Sequence, residues 1–373
     1  MRKKLGVLVL AGPDNGGTYQ YTLSMLQALR HVEGFDITIH GDAENPDLIK
    51  TGYPISPFAE SRLDQLAGLA VDRLSLRLSD PFIAEDIILA PIYSLSLLRT
   101  KKPYAFALHD LQEKYYPENF SWWRRAGRHQ IYHALLRRAE RVICESRYVK
   151  NDIVRFFAAE AGRIAVIPAP PQLQFSSPQS EVQLEAVRAR LQLPRRFLFY
   201  PAQFWPHKNH LRLLEAFRSV VNEVPDLGLV LTGKKRDAYA DVMHAVERLG
   251  LAKHVHHLGY IALDELQAVY QLASALVMPS LFESVSIPIY EAFQLGVPVI
   301  ASGILAIPEQ VGDAARLFDP TDVASIRDAV LEVIQNPELA RQLAERGRAR
   351  MSQMSLARYG AQLQELLQGM DGS

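Results

Sequence analysis

Cysteine is almost absent from this sequence, which holds only Cys144 among 373 residues. A single cysteine excludes an intramolecular disulfide and a metal site built from several cysteines, and it fits a reducing compartment. The residue lies in the apolar run RVICES. We therefore expect a buried structural thiol at this position rather than a nucleophile.

Neither sign of charge is in excess, because 41 lysines and arginines balance 41 aspartates and glutamates. The overall charge therefore does not favour binding to nucleic acid or to an anionic surface, and such binding would need a local patch. We expect no nucleic-acid partner. Long apolar runs are also missing. The N-terminal run LGVLVLAG is too short for the core of a signal peptide or for a membrane-spanning helix, which needs about 20 residues. These absences predict a cytoplasmic protein.

What the sequence does contain is an alternation of short apolar runs with amphipathic stretches. The runs are LGVLVLA, FDITIH, DIILAP, YAFALHD, RVICES and IAVIP in the first half, and FLFYPAQ, LGLVLTG, VHHLGY, ALVMPS, VPVIAS and ARLFDP in the second. Runs that are apolar throughout are typical of parallel strands covered by helices on both faces. The chain is also longer than one hydrophobic core usually supports. The sequence thus predicts an α/β protein with two Rossmann-like, doubly wound domains.

The composition changes between the two series of runs, where residues 168–194 are rich in proline, glutamine and serine. Such a stretch is the best candidate for a linker. We expect an N-terminal domain over residues 1–170, a linker over 171–194 and a C-terminal domain over 195–352. The last stretch, 353–373, is predicted to contain an amphipathic helix that is able to pack on either domain, with the N-terminal domain as our expectation.

The segment FESVSIPIYEAFQLGVPVIAS, residues 282–302, carries the strongest chemical pattern. After a polar turn, Pro288 is placed to begin a helix that ends near Gly296. The turn therefore brings the backbone N–H groups of Ser286 and Ile287 to a helix N-terminus. Such a terminus is a binding site for an anion such as a phosphate.

Two glutamates flank this turn, Glu283 before the helix and Glu291 in its predicted first turn. A carboxylate accepts two hydrogen bonds, which fits adjacent hydroxyls on a ribose or a sugar ring. With 41 acidic residues in the chain, however, such a spacing also arises by chance. The alternative is a solvated loop charge at Glu283 and a carboxylate that favours the helix dipole at Glu291.

The surroundings of the two glutamates decide between these interpretations. The segment resembles the signature of the family 4 retaining glycosyltransferases, in which Glu-x7-Glu is followed by a helix and a strand of the form GxPVIAS. The run GDAARLFDP matches the next element of that family. The resemblance continues upstream through VHHLGYIALDELQAVYQLASALVMPS and YPAQFWPHKNHLRLLEAF, and more weakly to the N-terminal glycine loop. It implies the GT-B fold, in which two Rossmann-like domains face each other across a cleft.

The resemblance also implies roles for single residues of the donor site. Glu291 would bind the ribose of the nucleotide, and Glu283 would bind hydroxyls of the transferred sugar. The backbone at Ser286 and Ile287 would meet the distal phosphate, and Gly259, Tyr260 and Ile261 would lie beside the base.

Lys208 in WPHKNH matches the lysine that pairs with the diphosphate in this family. A fixed cation there stabilises the charge that develops on the leaving phosphate. The alternative is a surface lysine at the start of a helix. Where the family usually has an arginine, this chain has Gln203, which leaves the second phosphate cation in question. Lys234, Lys235 and Arg236 are the candidates to replace it.

Two glycines and a histidine are the candidates in the first domain. Gly16 and Gly17 lie between the first strand and a helix that we expect to open at Thr18, where glycine lets the backbone approach a phosphate or sugar closely. A tight strand-to-helix turn is the alternative. His109 ends the strand YAFALHD, where the family often has a histidine near the donor sugar and the acceptor. A structural histidine with satisfied hydrogen bonds remains open, and Asp110 suits a turn or cap equally well.

Carboxylates spaced for a metal-bound diphosphate are missing, because no Asp-x-Asp pair occurs in the sequence. His254, His256 and His257 lie close together but have no acidic or cysteine partner nearby in the chain. We therefore expect no metal and no cofactor besides the nucleotide-sugar substrate.

A basic stretch, SWWRRAGRHQIYHALLRRAERV, has apolar side chains on one face and arginines elsewhere. One interpretation is a helix that packs on the core and has a solvated basic face. The other is a patch over residues 122–138 that contacts the inner face of a membrane or a lipid-diphosphate acceptor, anchored by Trp122 and Trp123.

Together these features predict a retaining glycosyltransferase that moves a hexose from a nucleotide-diphosphate sugar to a glycan or a lipid-linked glycan. Guanosine-diphosphate mannose is the first guess for the donor. One alternative is a sugar-nucleotide epimerase of GT-B fold, which would turn over the donor without an acceptor. Another is a catalytically idle subunit that binds a partner. A nicotinamide dehydrogenase is disfavoured, because the first turn lacks the expected glycine pattern.

Overall fold

Parallel β-sheets form the centre of both halves of the chain. The computed structural model describes residues 2–60, 79–171, 178–259 and 261–370. By its internal contacts the chain divides into two units, Met1–Gln172 with Met354–Ser373, and Leu173–Gln353. Each unit is a Rossmann-like α/β domain, which confirms the predicted fold class.

The sheet of the first unit has seven parallel strands among the described residues, in the order β3-β2-β1-β4-β5-β6-β7. The strands are β1 (Lys3–Leu8), β2 (Phe35–Gly41), β3 (Ile55–Pro57), β4 (Ile87–Ala90), β5 (Tyr104–Ala107), β6 (Arg141–Cys144) and β7 (Ile164–Val166). The helices of residues 2–60 and 79–171 are α1 (Gly17–Ala28), α2 (Pro46–Ile49), α3 (Gln112–Tyr115), α4 (Trp122–Arg138) and α5 (Arg147–Phe157). The strand order reverses at β1, which pairs with β2 on one side and β4 on the other.

Both faces of this sheet are buried. Along β1, Leu5 and Val7 join a core cluster that includes side chains of α1, whereas Leu8 joins the cluster that contains side chains of α4. Successive residues of a strand point to opposite faces, so each strand must supply apolar residues to two cores. This requirement explains why the strands appear in the sequence as continuous apolar runs rather than as alternating ones.

The sheet of the second unit has six parallel strands in the part of the chain that the structure describes, in the order β10-β9-β8-β11-β12-β13. They are β8 (Arg196–Pro201), β9 (Leu227–Thr232), β10 (Val255–His257), β11 (Ala275–Met278), β12 (Val299–Ser302) and β13 (Ala315–Phe318). The helices of its described residues are α6 (Glu181–Leu191), α7 (His210–Glu223), α8 (Tyr239–Arg248), α9 (Leu263–Leu272), α10 (Ile287–Leu295), α11 (Ile307–Val311), α12 (Val323–Gln335) and α13 (Pro337–Met351).

The strand order of this sheet reverses at β8, which pairs with β9 and with β11. At such a reversal the loops that follow the two neighbouring strands leave in opposite directions. They open a crevice at the carboxyl ends of the strands, where doubly wound sheets bind their ligands. The loops after β8 and β11 therefore frame the expected binding site of the second unit.

The predicted linker over 171–194 needs a correction, because its central part is the helix α6. The helix starts with a capping box, in which the Ser180 hydroxyl accepts a hydrogen bond from the N–H of Gln183 and the Gln183 side chain accepts one from the N–H of Ser180. The preceding Gln179 is bonded to Gln271 and to the carbonyl of Asp264, and so fixes α6 beside α9. The glutamine and serine that gave the segment its linker-like composition are thus the cap itself.

The chain returns to the first unit at its C-terminal end, where α14 (Leu356–Gln368) packs against α1. Tyr359, Leu363 and Leu367 of this helix are buried in the same core cluster as α1. The two helices approach closely at Gly360, where a Cβ atom would lie 2.6 Å from the carbonyl oxygen of Ala28. A larger residue at position 360 would therefore push the helices apart.

Candidate functional site

Lys208 and Glu283 meet at the point where the strand order of the second sheet reverses. Lys208 ends a short 3-10 helix, Pro206–Lys208, in the loop after β8, and Glu283 lies in the loop after β11. The ammonium Nζ of Lys208 donates to Oε1 of Glu283 at 2.5 Å. Both side chains are mostly buried, with 19% and 10% of their surface exposed. The structure thus brings two sequence-predicted site residues into direct contact across 75 positions of the chain.

Hydrogen bonds to backbone carbonyls hold the two loops together. The N–H of Leu281 donates to the carbonyl of His207 at 2.7 Å. The side-chain amide of Asn209 donates to the carbonyls of Pro279 and Pro320, at 3.0 and 2.8 Å. Because each bond joins the loop after β8 to the edge formed by later strands, Lys208 is positioned by the fold and not by its own flexible side chain alone.

The helix N-terminus predicted before Gly296 is present, but it starts one residue early. The helix α10 begins at Ile287, with Ser286 as its N-cap and Pro288 in its second position. Glu291 therefore lies beyond the first turn, which corrects its expected place. Gly296, with φ of 67°, ends the helix in the left-handed region, as its position predicted.

A glutamine that the sequence analysis missed holds the cap residue of α10. Gln310, in helix α11, accepts a hydrogen bond from the N–H of Ser286 at 2.9 Å and donates one to its carbonyl at 2.7 Å. The amide of Ser286 is thus already bonded. The amide of Ile287 belongs to the first turn, where N–H groups have no acceptor within the helix. Of the two amides predicted to meet the phosphate, that of Ile287 is the better placed.

Glu291 is buried, with 4% of its surface exposed, and Oε2 accepts a hydrogen bond from the hydroxyl of Tyr270 at 2.6 Å. Burial raises the pKa of Glu291 to about 7, and the bond from Tyr270 only partly opposes this. The carboxyl group is therefore poised to change charge near neutral pH. Nothing in the sequence around Tyr270 marks it as a partner, because the two residues meet only through the packing of α9 on α10.

Gln203 is bonded to one of the three cations considered as replacements for an arginine. Nε of Arg236 donates to Oε1 of Gln203 at 2.9 Å, and the guanidinium carbon lies 5.0 Å from the centre of the Trp205 ring. Lys235 instead lies over the ring of Tyr239 at 4.6 Å. Arg236 is thus the cation that the fold couples to position 203.

The residues predicted to lie beside the base follow strand β10. Gly259 has φ of 72°, which favours glycine, and its carbonyl accepts a hydrogen bond from the N–H of Gly233 at 3.1 Å. Ile261 is half-buried. Tyr260 lies outside the described residues. The contact between positions 233 and 259 shows that the loops after β9 and β10 are neighbours at the carboxyl edge of the sheet.

His210, two positions after Lys208, is a buried histidine without a polar partner. Its ring stacks on Phe204 with a centroid separation of 4.5 Å, and neither ring nitrogen has a hydrogen-bond partner among the described residues. Burial lowers the pKa of His210 to about 3, with smaller contributions from the charges of Lys208 and His257. The histidine is therefore mostly neutral in the folded protein at pH values well above 3.

Stability of the second unit should fall as the pH drops because of His210. The pKa of the group is about 3 when folded and about 6.5 when unfolded, so its contribution is complete above about pH 6.5 and is lost as the pH falls. The expected loss reaches about 1.4 kcal/mol per pH unit. Calorimetry between pH 7.5 and 5 should show a shallower loss in His210→Phe than in the wild type. His244→Phe, at an exposed histidine, should keep the wild-type slope. An unchanged slope in His210→Phe would contradict the assignment.

The glycine pair of the first unit lies where it was predicted, after β1. Gly16 has φ of 55° and ψ of −122°, a backbone conformation that residues other than glycine rarely adopt. Its carbonyl accepts hydrogen bonds from the N–H groups of Tyr19 and Gln20. The helix α1 begins at Gly17, one residue before the expected Thr18. Replacing Gly16 would therefore strain the turn that starts this helix.

His109 is held by acceptors on both ring nitrogens. Nδ1 lies 3.1 Å from a carboxylate oxygen of Glu145, and Nε2 lies 2.9 Å from the carbonyl oxygen of Pro91. Burial lowers the pKa of His109, but the hydrogen bond and charge of Glu145 and the bond to Pro91 outweigh it, so that the pKa lies above its ordinary value. A protonated ring donates to both acceptors, whereas a neutral ring has one N–H and donates to only one of them. Because both nitrogens face acceptors within the fold, this arrangement favours the structural interpretation of His109.

A cavity of about 370 Å³ lies beside His109 in the first unit. Its lining includes Thr18, Tyr93, Asp110, Arg128 and Tyr132. The lining thus combines hydroxyl groups, a carboxylate and a guanidinium with aromatic rings. Polar groups of this variety are able to bind a hydroxylated ligand.

The basic helix α4 turns some of its arginines inward. Arg138 donates to the carbonyls of Leu98 and Thr100, and Arg128 donates to the hydroxyl of Tyr132. The predicted basic face is therefore smaller than the sequence suggested, because these guanidinium groups satisfy polar groups of the fold.

The N-terminal end of α4 is exposed, with 75% of Trp122 and 52% of Trp123 accessible. Arg124 and Arg125 beside them are exposed as well. None of the helices that the structure describes combines the length and the apolar composition that a bilayer-spanning segment needs. Peripheral contact through 122–138 stays a prediction, which co-sedimentation with anionic lipid vesicles would test.

No group of three or more histidine, cysteine or carboxylate side chains within the described ranges is arranged to hold a metal ion. His254 is bonded to the carbonyl of Leu227, and burial lowers the pKa of both His256 and His257. The three histidines therefore take part in the fold of β10 and its surroundings. Independence from metal stays a prediction.

Two family models match the chain. The model described as Glycosyl transferases group 1 matches residues 185–350, and the model described as Glycosyltransferase Family 4 matches residues 15–172. The first match contains Lys208, Glu283 and Glu291, and the second contains the glycine pair and His109. The matches therefore include both sets of predicted site residues.

Several curated proteins are similar in sequence. The O-antigen chain mannosyltransferase B of Escherichia coli is 29% identical over 225 residues, which are 60% of this chain and 59% of that protein. The O-antigen chain mannosyltransferase RfbU of Salmonella typhimurium is 25% identical over 88% of this chain and 90% of its own length. The MMP alpha-(1->4)-mannosyltransferase of Mycolicibacterium hassiacum is 27% identical, and the match covers 61% of this chain and 55% of that protein. The match thus spans less than two thirds of the first and third relatives.

Solved structures share the fold over nearly the whole chain. The Anabaena protein Alr3699/HepE, crystallised with UDP-glucose, superposes with a TM-score of 0.78 at 19% identity, covering 98% of this chain and 99% of that one. A glycosyltransferase from Rickettsia africae superposes with a TM-score of 0.75 at 15% identity over the full length of both chains. At these identities the likeness establishes the fold.

Proposed function

The chain belongs to the group 1 and family 4 glycosyltransferases, and from this premise we propose that it moves a hexose from a nucleotide-diphosphate sugar to a glycan or lipid-linked glycan, with retention of the anomeric configuration. The observation that carries the proposal is the contact between Lys208 and Glu283 at the strand reversal of the second sheet. A cation and a hydroxyl-binding carboxylate lie there side by side, as the phosphate and the sugar of one donor require.

The ion pair changes partners when the donor binds. Glu283 accepts hydrogen bonds from hydroxyls of the sugar, and Lys208 then turns its ammonium group toward the diphosphate. As the glycosidic bond of the donor breaks, negative charge develops on the leaving phosphate. Lys208 and the first-turn amides of α10, chiefly that of Ile287, stabilise this charge where it forms.

Retention follows if the acceptor attacks on the face from which the diphosphate leaves. An oxygen of the donor phosphate accepts the proton of the acceptor hydroxyl on that face. Inversion would instead need a general base on the opposite face. His109 is a poor candidate for a base, because both ring nitrogens are bonded to acceptors. The cavity beside it, lined by Thr18, Asp110 and Arg128, is the proposed position of the acceptor.

Mannose is the sugar we propose, with guanosine-diphosphate mannose as the donor. The support is the word mannosyltransferase in the names of relatives from Escherichia coli, Salmonella typhimurium and Mycolicibacterium hassiacum. The base and the acceptor are open to direct measurement. A thermal-shift panel of nucleotide sugars identifies the donor as the one that raises the unfolding temperature, since a ligand that binds only the folded state stabilises it.

Product analysis completes the test. With the stabilising donor and a mixture of glycan acceptors, NMR of the product should show the anomeric configuration of the donor. An inverted linkage in the product would contradict the retaining mechanism. Conversion of the donor without any acceptor would favour the epimerase alternative, and donor binding without any conversion would favour a catalytically idle subunit.

A further inference from the structure

The loop after β9 carries Lys234, Lys235 and Arg236, and it is joined to the loop after β8 by backbone hydrogen bonds. The N–H of Phe204 donates to the carbonyl of Lys234 at 3.2 Å, and the N–H of Ala238 donates to the carbonyl of Phe204 at 3.0 Å. The loops after β8 and β9 are therefore held against each other by their backbones. Together they carry both Arg236 and Lys208.

Glycine at position 233 allows this close approach. It has φ of 132°, and a Cβ atom there would lie 2.4 Å from the carbonyl oxygen of Ala202. No side chain fits in that space, and residues other than glycine rarely adopt that backbone conformation. The loop after β9 is thus built to lie directly on the loop that leads to Lys208.

Two contacts fix the orientation of the Arg236 side chain. Nε donates to Gln203, and the guanidinium carbon lies over the ring of Trp205 at 5.0 Å from its centre. These contacts use one of the five N–H donors of the group. The terminal nitrogens, Nη1 and Nη2, have no hydrogen bond or ion pair with any residue that the structure describes. A planar fork that is held at one end and unpaired at the other matches the geometry of a phosphate.

Charge balance in the donor site also leaves a need for this group. The ammonium of Lys208 is paired with Glu283 in the free protein, so the pair has no net charge. A nucleoside diphosphate carries more than one negative charge. Gln203 is neutral and its carbonyl oxygen is already bonded to Arg236. On the joined loops after β8 and β9, Arg236 is therefore a cation that Gln203 and Trp205 hold in place. Its two terminal nitrogens have no partner among the described residues and are able to bind an anion.

We propose that Arg236 binds the diphosphate of the donor through Nη1 and Nη2, and that Gln203 is a positioning residue that holds Nε. This inference rests on the proposed function and assigns one of its binding groups. In this proposal Gln203 orients the side chain of Arg236 and does not itself bind the phosphate. The contact with the ring of Trp205 serves the same purpose.

The test measures binding of GDP, UDP and inorganic pyrophosphate by calorimetry, since pyrophosphate reports the phosphate contacts without any base. Arg236→Ala should weaken pyrophosphate and the tighter nucleoside diphosphate roughly tenfold, as expected for loss of a charged hydrogen-bonding group. Lys235→Ala, which removes an exposed cation from the same loop, should change affinity less than twofold. The unfolding temperature of each variant checks that the second unit remains folded.

A double variant tests whether a guanidinium on the neighbouring loop restores the affinity that Arg236→Ala loses. In the Arg236→Ala background, Gln203→Arg places a guanidinium on the neighbouring loop and should recover most of the lost affinity. Gln203→Ala alone should weaken pyrophosphate about threefold, because Arg236 remains but is less well oriented. Equal losses in Arg236→Ala and Lys235→Ala, or no loss in Arg236→Ala, would overturn the inference. Failure of the wild type to bind any nucleoside diphosphate would instead overturn the proposed function itself.

Discussion

Replacing Lys208 with alanine is expected to lower kcat by about 10²- to 10³-fold at saturating donor, the effect typical of losing a group that stabilises developing charge in the transition state. KM for the donor should change much less. The reason lies in the ion pair with Glu283, which holds the ammonium before the reaction and releases it as the sugar binds. Steady-state kinetics with the donor found in the thermal-shift panel measures both constants.

Two controls accompany this variant. Lys253→Ala removes an exposed lysine from the same unit and should leave kcat unchanged. Glu283→Gln removes the carboxylate but keeps an acceptor, and combined with Lys208→Ala it shows whether an unpaired Glu283 contributes to the loss, as a double-mutant cycle measures. A folded Lys208→Ala protein with kcat within threefold of the wild type would refute the role of this residue.

Donor binding should depend on pH through Glu291. Its pKa of about 7 in the free protein means that the carboxylate form, which accepts hydrogen bonds from ribose hydroxyls, is half populated near neutrality. Donor affinity is therefore expected to rise from pH 6 to pH 8. Glu291→Gln should weaken donor binding roughly 30-fold at pH 8, in the range for hydrogen bonds to a charged group, and should abolish the pH dependence.

Tyr270→Phe provides the matched control. It keeps the ring that packs against Phe199 and removes the hydroxyl that donates to Glu291. Since that hydrogen bond lowers the pKa of Glu291, its loss should move the midpoint of the affinity profile to higher pH. The assignment fails if Tyr270→Phe leaves the midpoint unchanged, or if Glu291→Gln keeps the wild-type profile.

Local patterns in the sequence predicted the strands, the helix N-terminus near Ser286 and the end of that helix at Gly296. Each depends on a few consecutive residues: an apolar run buried on two faces, a proline in the first turn, a glycine with positive φ. The same locality explains the error at the linker, where the cap at Ser180 lies within a composition typical of linkers.

Such local patterns could not predict the partners of the site residues. Tyr270, Gln310 and Glu145 lie 21, 24 and 36 positions from the residues they contact, and their partners are set by how helices pack on the sheets. A tyrosine or glutamine within an amphipathic helix has no local signal that separates a buried partner from a surface residue. The resemblance supplied the positions of Lys208 and Glu283, but their contact comes from the strand order.

The return of α14 to the first unit has a consequence for the order in which the chain acquires its structure during synthesis. All residues of the second unit have left the ribosome before residues 354–370, which complete the core of the first unit with Tyr359, Leu363 and Leu367. The first unit thus completes its core only after the whole second unit has been synthesised. Until then, the surface of α1 that α14 covers stays open to solvent or to a chaperone.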